Sequence, residues 1–410
     1  MSVAAAMAFV TVASAAPASA ADPTPRGDSS SSTVKAAKAK VKTVKVKNKK
    51  NKAAHIVPFT DAIYPSCAGI PDCISVGRVA YNYRISQYEV TVGEWVRFLN
   101  VVNPDGKNRH KLWNGRVESS TAWPKYGQVD RKKKARPGNH YRVAFPQWAN
   151  KPYGFADFLR SARFVNSLYN GSTKTKGMEK GGFKVRKHTV RFSPVTETGM
   201  YNLKKKNATR TKSKGFVVPS QDEWIKSAYY SPGGDGEYGY WKYPTNPGVF
   251  GAGTADGPTS TLLNPGNGNV TNSAIQPLAT DLVPDTTPPT WCPSQLSTVE
   301  CDSVNPLGLS PVAYQELYKA SLSTIGQAKT RSPWGTLDQG GNAVEWTDTI
   351  TAPPAGFPTN RVWRRLHGGV PNSTAYQLWI SAVGLQPQDN AFFERTYPWL
   401  GFRVGYIGGK

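Results

Sequence analysis

Alternating apolar and polar residues at positions 83–90 mark the first regular element of the chain. The run reads Y-R-I-S-Q-Y-E-V, and a period of two is typical of a half-buried β-strand. Thr91 follows directly and Glu94 lies three residues further on, which is the pattern of a capping box at the start of a helix. That helix is predicted to be amphipathic, because its apolar residues recur on one face: Trp95, Val96, Leu99 and Val102.

Two more helices are predicted from the same kind of pattern. Residues 155–171 place apolar side chains at helical spacing and end in a glycine, a residue that is common just after a helix. Ser220 and Glu223 form a second capping box before an apolar stretch. Residues 103–148 and 233–306 show little periodicity, so we expect long loops there, the first of them a basic insertion.

The N-terminal region differs in composition from the rest of the chain. Residues 1–20 are apolar, rich in alanine and end in A-S-A, which predicts a signal peptide although no positive charge precedes the apolar stretch. Residues 21–57 are rich in lysine and of low complexity, which predicts a disordered linker before a folded domain at residues 58–410. Beyond the N-terminus there is no apolar run of about 18 residues. We expect no membrane span and a secreted, periplasmic or cell-surface location.

Basic residues outnumber acidic ones, with 51 Lys and Arg against 27 Asp and Glu and a formal net charge of +24 over 410 residues. Nine lysines fall within residues 35–52. A run of this kind is usually a solvated tail, but it can also bind acidic polymers. The linker is therefore a possible polyanion-binding segment. Nucleic-acid binding would rest on charge alone and fits poorly with export.

The four cysteines fall in two local pairs, Cys67 with Cys73 and Cys292 with Cys301. Neither pair has the C-x-x-C spacing of a zinc or redox site. In an oxidising compartment we expect two small-loop disulfides. Four cysteines allow three connectivities, and free buried thiols are the alternative.

Two acidic residues flank a glycine-rich turn at residues 335–346, which read G-T-L-D-Q-G-G-N-A-V-E-W. The adjacent glycines permit a tight turn, and Asp338 and Glu345 supply hard carboxylate oxygens. Calcium takes about six to eight oxygens from carboxylates and backbone carbonyls. The segment is therefore an oxygen-rich cation site in outline. The alternative is a loop whose acids face water while Trp346 packs into the core.

The segment G-N-A-V-E-W resembles the signature of the formylglycine-generating enzyme family, also called the sulfatase-modifying factor family. Other stretches are similar to that family in the same order: Y-E-V-T-V-G-E-W-V-R-F-L-N, V-P-S-Q-D-E-W, V-W-R-R-L-H-G-G and G-F-R-V. His367 and Val370 depart from the family's usual arginine and serine. The resemblance implies an α+β fold of the formylglycine-generating-enzyme type, related to C-type lectins and containing much irregular structure.

The resemblance also implies a structural calcium ion. In the family the corresponding segment binds the ion through a side chain at the position of Asp338, backbone carbonyls at Gly341 and Ala343, and the acid at Glu345. All four residues are chemically compatible with this role. We therefore expect calcium as a structural cofactor.

The catalytic residues of the family do not align with suitable residues here. The family's oxidase holds copper(I) with two cysteines, because soft thiolates select that ion. Counted without gaps, the corresponding positions are Ser373 and Leu378, and no cysteine follows Cys301. The iron-dependent sulfoxide synthases use three histidines, and the five histidines of this chain show no His-x-x-x-His spacing. We expect no copper and interpret the histidines as surface or packing residues.

Two functional hypotheses follow. The preferred one is a secreted, calcium-stabilised binding or surface protein without oxidase activity, whose ligand is a protein or glycan not identified by sequence. The alternative is a divergent metal-dependent oxidoreductase of the formylglycine-generating and sulfoxide synthase superfamily. The C-terminal loop is rich in aromatic and amide side chains, which suit recognition unless they pack in the core. The candidate ligand-binding residues are Tyr376, Trp379, Gln388, Asn390, Phe393 and Tyr397.

Overall fold

Short strands and a few helices alternate along the chain in the computed structural model. It describes residues 43–58, 60, 62–121, 127–172, 184–185, 188–189, 191–234, 236–244, 322, 324–326, 331–353, 356–369, 378–389 and 400–408. The helices are α1 (Val92–Val102), α2 (Gly115–Glu118), α3 (Phe158–Ser172) and α4 (Gln221–Tyr229), with a 3-10 helix at Pro146–Trp148. The strands are β1 (Thr43–Val46), β2 (Ala54–Ile56), β3 (Ile63–Tyr64), β4 (Ile74–Val76), β5 (Tyr83–Ser86), β6 (Val129–Arg131), β7 (Tyr141–Val143), β8 (Lys184–Val185), β9 (His188–Thr189), β10 (Gly215–Val217), β11 (Val344–Thr351), β12 (Trp363–His367), β13 (Gly384–Pro387), β14 (Leu400–Gly401) and β15 (Gly405–Ile407). The described part is therefore of mixed α and β class, as predicted.

A four-stranded antiparallel sheet in the order β1-β5-β15-β10 corrects the predicted domain boundary. β1 pairs with β5 along its whole length, so the fold already includes Thr43, before the predicted start at residue 58. The T-V-K-V segment alternates, with Val46 buried and Lys45 exposed. Lysines on an edge strand protect it from unwanted pairing with strands of other molecules. They also give this segment the composition of a disordered tail, which is why the sequence predicted a linker here. The predicted signal peptide and residues 21–42 of the predicted linker lie outside the described residues.

Both predicted capping boxes are present. The Thr91 hydroxyl accepts from the Glu94 backbone N–H, and the Thr91 N–H donates to the Glu94 carboxylate. Ser220 and Glu223 make the same pair of contacts at the start of α4. Each box satisfies backbone donors that would otherwise lack partners at a helix start. The helix predicted at residues 155–171 is observed as α3, which begins three residues later.

The larger apolar core joins α1, α3 and the first sheet. At its centre Trp95 of α1 stacks on Tyr153 with the ring centroids 4.2 Å apart, and Phe402 meets it edge-on. Val129 of β6 and Tyr141 of β7 also belong to this core. The basic insertion predicted as a loop therefore includes a hairpin, β6-β7, that is anchored by apolar side chains. A smaller core lies between α4, β2 and β4.

The second four-stranded sheet, in the order β13-β12-β11-β14, brings distant segments together. β11 carries the V-E-W sequence. It pairs antiparallel with β12, which places Glu345 opposite His367, and parallel with β14, which places Glu345 opposite Gly401. The chain continues from β14 to Arg403. Glu345 thus occupies an interior strand, with a neighbouring strand on either side.

One predicted disulfide is present near the N-terminal three-stranded sheet, β3-β2-β4. Cys67 and Cys73 are bonded, with their Cα atoms 5.4 Å apart. The second predicted pair, Cys292 and Cys301, lies outside the described residues. Among the described helices, none combines the length and the apolar surface that a membrane crossing requires.

Candidate functional site

The glycine-rich segment that leads into β11 is a turn with left-handed backbone at several positions. Asp338 has φ 58°, Gly341 φ 101° and Asn342 φ 62°. Aspartate and asparagine tolerate this region better than most residues, and glycine adopts it freely. The Gly341 N–H donates to the Gly368 carbonyl at the end of β12. The turn is therefore fixed against the sheet.

Glu345 is completely buried and is bound by an arginine rather than facing water. The Arg403 guanidinium donates from Nε to Glu345 Oε2 and from Nη2 to Oε1, both at 2.6 Å. The Trp224 indole N–H donates to Oε2 at 2.9 Å. Both charged side chains are 0% exposed. This bidentate geometry is the strongest form of an arginine–carboxylate contact.

Arg403 also connects backbone segments that are far apart in sequence. Its Nη1 donates to the carbonyls of Ser86 and Gln87 at 3.2 and 3.3 Å. Its Nη2 donates to the carbonyls of Leu337 and Asp338 at 3.1 and 3.3 Å. One side chain thus holds the β5 end, the glycine-rich turn and β11 together.

Two further carboxylates lie close to this pair. Glu89 is 2% exposed and Asp338 0% exposed. Burial and the proximity of Asp338 raise the pKa of Glu89 well above its ordinary value, although Arg403 opposes the shift. Burial likewise raises the pKa of the Asp338 carboxyl. We call Arg403, Glu345, Glu89 and Asp338 the Arg403 cluster.

The predicted calcium ligands fit a cation only in part. Three donors occupy three of the roughly four lone-pair positions of the Glu345 carboxylate, and Arg403 already neutralises its charge. Asp338 keeps an unused oxygen, Oδ1. Gly341 and Ala343 offer backbone carbonyls in the same turn. Among the described residues no group of three or more His, Cys, Asp or Glu side chains is arranged to hold a metal ion.

His367 replaces the arginine expected by the resemblance and is a packing residue. Its ring stacks on Trp224 with the centroids 5.1 Å apart and an interplanar angle of 20°. Burial, followed by the nearby Arg365, lowers the pKa of His367 to about 3. The imidazole is therefore neutral at physiological pH and covers the indole that donates to Glu345.

Glu89 was missed as a site residue, and Arg403 was noted only as part of the G-F-R-V motif. The alternating run at residues 83–90 gave no signal for Glu89, because it changes phase at Gln87 and then places Tyr88 and Val90, and not Glu89, on the apolar face. Arg403 likewise lies between the apolar residues Phe402 and Val404. A charged residue between two apolar ones is typical of an exposed strand position, so the sequence marked neither residue as buried.

The structure describes two of the predicted ligand-binding residues, Trp379 and Gln388. Trp379 donates through its indole N–H to the Tyr243 hydroxyl at 2.7 Å, and the Lys242 ammonium lies 4.5 Å over its ring. Gln388 is 7% exposed, accepts from Arg364 and donates to the Lys206 carbonyl. Gln388 therefore has a structural role. The other candidates lie outside the described residues: Tyr376, Asn390, Phe393 and Tyr397.

Ser373 and Leu378 are the positions at which the resemblance, counted without gaps, would place copper ligands. Ser373 lies outside the described residues. Leu378 is 0% exposed, and its backbone carbonyl accepts a hydrogen bond from the Tyr229 hydroxyl at 3.1 Å. The side chain at this position is thus an apolar one in the protein interior.

No family model and no curated protein matches this chain. Among solved structures, CarF covers 90% of this chain and 99% of its own, with 13% identity and a TM-score of 0.36. Variable protein 1 of Treponema denticola covers 87% and 95%, with 15% identity and a TM-score of 0.39. PvdO from Pseudomonas aeruginosa covers 91% and 100%, with 13% identity and a TM-score of 0.39. Scores of this size do not define a common fold, so no residue role is transferred from these proteins.

Proposed function

We propose that this chain is an exported, calcium-stabilised binding or surface protein with a fold of the sulfatase-modifying factor type and without oxidase activity. The convergence of the resembling segments supports the fold. Trp224 of the S-Q-D-E-W helix and Arg403 of the G-F-R-V segment both donate to Glu345 of the G-N-A-V-E-W segment. His367 of the V-W-R-R-L-H segment lies opposite the same residue. Four segments of one sequence signature thus meet at one carboxylate.

The buried leucine side chain at position 378 is the observation that supports the non-oxidase role. The resemblance implies a copper-binding cysteine at this position, and copper(I) requires soft thiolate ligands. Here the side chain is apolar and fully buried. Cys67 and Cys73 are joined in a disulfide, so neither offers a thiolate. The Cys67–Cys73 bond also favours an oxidising compartment.

Exposed lysines on β1 and the turn after it favour an acidic partner. Lys45, Lys47, Lys49, Lys50 and Lys52 are all exposed. Because β1 is paired with the sheet, these ammonium groups are held on a defined surface and are not spread along a free tail. A dense patch of one charge attracts polyanions, and the attraction weakens as salt screens it. An acidic glycan is therefore the partner that this surface suits best.

Elemental mass spectrometry of the purified chain tests the non-oxidase role. After dialysis we expect calcium and neither copper nor iron. We also expect no oxygen consumption when a thiol peptide is offered as substrate. Near-stoichiometric copper or iron, together with oxygen consumption, would overturn the proposal and favour the divergent oxidoreductase.

Elution from immobilised heparin, used as a model polyanion, tests the proposed partner. The triple change Lys47→Gln, Lys49→Gln and Lys50→Gln should lower the salt concentration at which the protein elutes. The matched control removes three other exposed lysines, at positions 204–206, and should elute close to the wild type. Equal shifts in both variants would mean that net charge alone, and not the β1 surface, retains the protein.

A further inference from the structure

A histidine and a serine lie beside the Cys67–Cys73 disulfide on the three-stranded sheet β3-β2-β4. His55 belongs to the central strand β2 and lies opposite Ser75 of β4. Its Nδ1 atom is 2.9 Å from the Ser75 Oγ atom and 3.6 Å from the Cys67 Sγ atom. The Ser75 Oγ atom is itself 4.0 Å from Cys67 Sγ. One sulfur of the disulfide therefore lies next to two side chains that can donate hydrogen bonds.

The alternation of β2 places these groups on the outer side of the sheet. Ala54 and Ile56 are buried in the smaller core, so His55 between them faces the other way. Ser75 is exposed, and the two bonded cysteines are partly exposed. A small thiol in solution, or a thiol on the surface of another protein, can therefore approach the disulfide.

The three-stranded sheet does not depend on the disulfide to hold its strands together. β3 and β4, which flank the bonded loop, are each hydrogen-bonded to β2. The bond closes a short loop, with a sequence separation of 6. Disulfides stabilise a fold mainly by restricting the unfolded chain, and short loops gain least. The strands can therefore stay paired when the bond opens.

The two sulfurs differ in how well they leave as thiolates. A disulfide is opened by attack of a thiolate on one sulfur, and the sulfur whose thiol has the lower pKa leaves faster. An imidazolium or a hydrogen-bond donor stabilises a thiolate, and His55 and Ser75 offer such groups to Cys67. Cys73 directly follows Asp72, and a neighbouring negative charge disfavours a thiolate. Cys67 is thus the better leaving group.

We propose that Cys67 and Cys73 form a thiol–disulfide exchange site that oxidises dithiols, with Cys73 attacked and Cys67 leaving. A thiolate of the dithiol bonds to Cys73 Sγ, the bond between the two cysteines breaks, and Cys67 takes the electron pair as a thiolate beside His55. The second sulfur of the dithiol then attacks the first, which forms the product disulfide and releases Cys73 as a thiolate. Two electrons pass from the dithiol to the protein, and the two thiol protons go to the two cysteines. The reaction consumes no oxygen, so it goes beyond the proposed function and does not depend on it.

Trapping the mixed disulfide with reduced glutathione identifies the attacked sulfur in the wild-type protein. The oxidised full chain is mixed with glutathione and quenched in acid, and free thiols are blocked with N-ethylmaleimide. Digestion with trypsin and with a protease that cuts before Asp72 separates the two cysteines for mass spectrometry. We expect glutathione on Cys73 and maleimide on Cys67. Glutathione mainly on Cys67, equally on both, or on neither would overturn the proposal.

Three substitutions test the role of the neighbouring side chains. His55→Gln should slow the reduction of this disulfide by dithiothreitol by about 3- to 10-fold, and Ser75→Ala should slow it by a smaller factor. The matched control, Tyr64→Phe, changes the titratable residue opposite His55 on β3 and should react at the wild-type rate. Maleimide labelling of the Cys67 peptide follows the reaction, and circular dichroism melting shows that each variant is folded. A wild-type rate in His55→Gln, or equal slowing in Tyr64→Phe, would overturn the assigned role of His55.

The pH dependence of alkylation separates this role from a purely structural one. In the fully reduced protein, the rate of alkylation by iodoacetamide reports the thiolate form of each cysteine. We expect the Cys67 rate to rise at lower pH than the Cys73 rate, and His55→Gln should remove this difference. A merely structural contact of His55 would leave the two profiles alike in the wild type, which would overturn the proposal. Should His55→Gln fail to fold, the wild-type profiles and the glutathione adduct still decide the question.

Discussion

The Arg403 cluster has a counterpart in the Arg210 cluster, which consists of Arg210, Arg364, Glu223 and Asp348. Arg210 donates to both oxygens of Glu223 at 2.7 and 2.9 Å and also contacts Asp348. The Tyr81 hydroxyl donates a hydrogen bond to the Glu223 carboxylate at 2.6 Å, and the Tyr201 hydroxyl donates one to the Asp348 carboxylate at 2.9 Å. Arg364 donates to the backbone carbonyl of Asp348.

The two clusters differ in charge balance and in contact with solvent. The Arg210 cluster contains two guanidiniums and two carboxylates, with Arg210 paired to both acids, and the Arg210 side chain is 19% exposed. The Arg403 cluster has one guanidinium for three carboxylates, and its ion pair is fully buried. Protein groups alone neutralise the carboxylates of the Arg210 cluster, whereas those of the Arg403 cluster also need a bound cation or protons. The stability of the Arg403 cluster therefore depends on cation binding or pH, and that of the Arg210 cluster does not.

The largest expected effect is that of breaking the buried pair. Arg403→Met should lower the free energy of unfolding by about 3 to 5 kcal/mol, because Glu345 is left charged and uncompensated in the interior. The loss of four backbone contacts adds to it. Urea unfolding followed by tryptophan fluorescence measures the change. A loss below about 1 kcal/mol, the range of exposed pairs, would contradict the importance assigned to this residue.

The same substitution in the balanced cluster should have a smaller effect. Arg210→Met leaves Glu223 and Asp348 with their tyrosine donors and, at Glu223, the Ser220 N–H. Because the site is partly exposed, water can hydrate the carboxylates that lose Arg210. We expect a loss of about 1 to 3 kcal/mol, the range for an unsatisfied buried polar group. A loss equal to that of Arg403→Met would mean that burial does not distinguish the two clusters.

Neutralising one acid should have opposite effects in the two clusters. In EDTA near neutral pH Glu89 must take up a proton on folding, because burial raises its pKa; Glu89→Gln removes this cost and should raise the free energy of unfolding by about 1 to 2 kcal/mol. Asp348→Asn removes a carboxylate that Arg210 compensates and should lower that free energy by a similar amount, about 1 to 2 kcal/mol. Parallel urea titrations of both variants check the signs. The same sign in both would contradict the assigned charge balance.

Local sequence patterns predicted the helices because each depends on neighbouring residues. The capping boxes at Thr91 and Ser220 involve contacts across three positions, and both are confirmed. β1 was missed for a local reason as well. Its alternation is carried by Val44 and Val46, and the lysines around them gave the segment the composition of a disordered tail.

The Arg403 cluster could not be predicted from local patterns, because its contacts span most of the chain. Arg403 reaches the Ser86 carbonyl across 317 positions and Glu345 across 58. The resemblance grouped Asp338 with Glu345 as ligands of one ion, but it did not show that an arginine takes the charge of Glu345. Glu89 gave no sequence signal of burial either, because the apolar residues Tyr88 and Val90 lie on either side of it. Sequence showed that the acids are present, and the structure shows how their charges are paired.

The two capping boxes repeat the difference between the clusters on a smaller scale. Burial raises the pKa of the Glu94 carboxyl to about 7, since hydrogen bonds from Thr91 and the charge of Arg97 offset burial only in part. Burial would raise the pKa of Glu223 in the same way, but Arg210 holds it below its ordinary value. In the same motif, Glu94 at α1 is therefore readily protonated, whereas Glu223 at α4 stays ionised.

The smallest expected effect is a pH-dependent one at the α1 box. Because the folded pKa of Glu94 is raised from 4.5, its stabilising contribution is complete below about pH 4.5 and is lost as pH rises through about 7, with an upper limit of about 3 kcal/mol. Glu94→Gln keeps the capping acceptor and removes this loss. We expect it to be more stable than wild type by about 1 kcal/mol at pH 8, since the unpaired amide N–H₂ offsets part of the gain.

At pH 5 the Glu94→Gln protein should be less stable than wild type by about 1 kcal/mol, because Glu94 is then protonated in the folded state and the cost of the unpaired amide N–H₂ remains. The matched control, Glu223→Gln, should be less stable than wild type at both pH values, since Arg210 loses a bidentate carboxylate. Urea midpoints of the three proteins at pH 5 and pH 8 measure the effect. If Glu94→Gln were destabilised at pH 8 as Glu223→Gln is, both boxes would hold charged carboxylates. Arg210 would then not be the cause of a different protonation state in the two boxes.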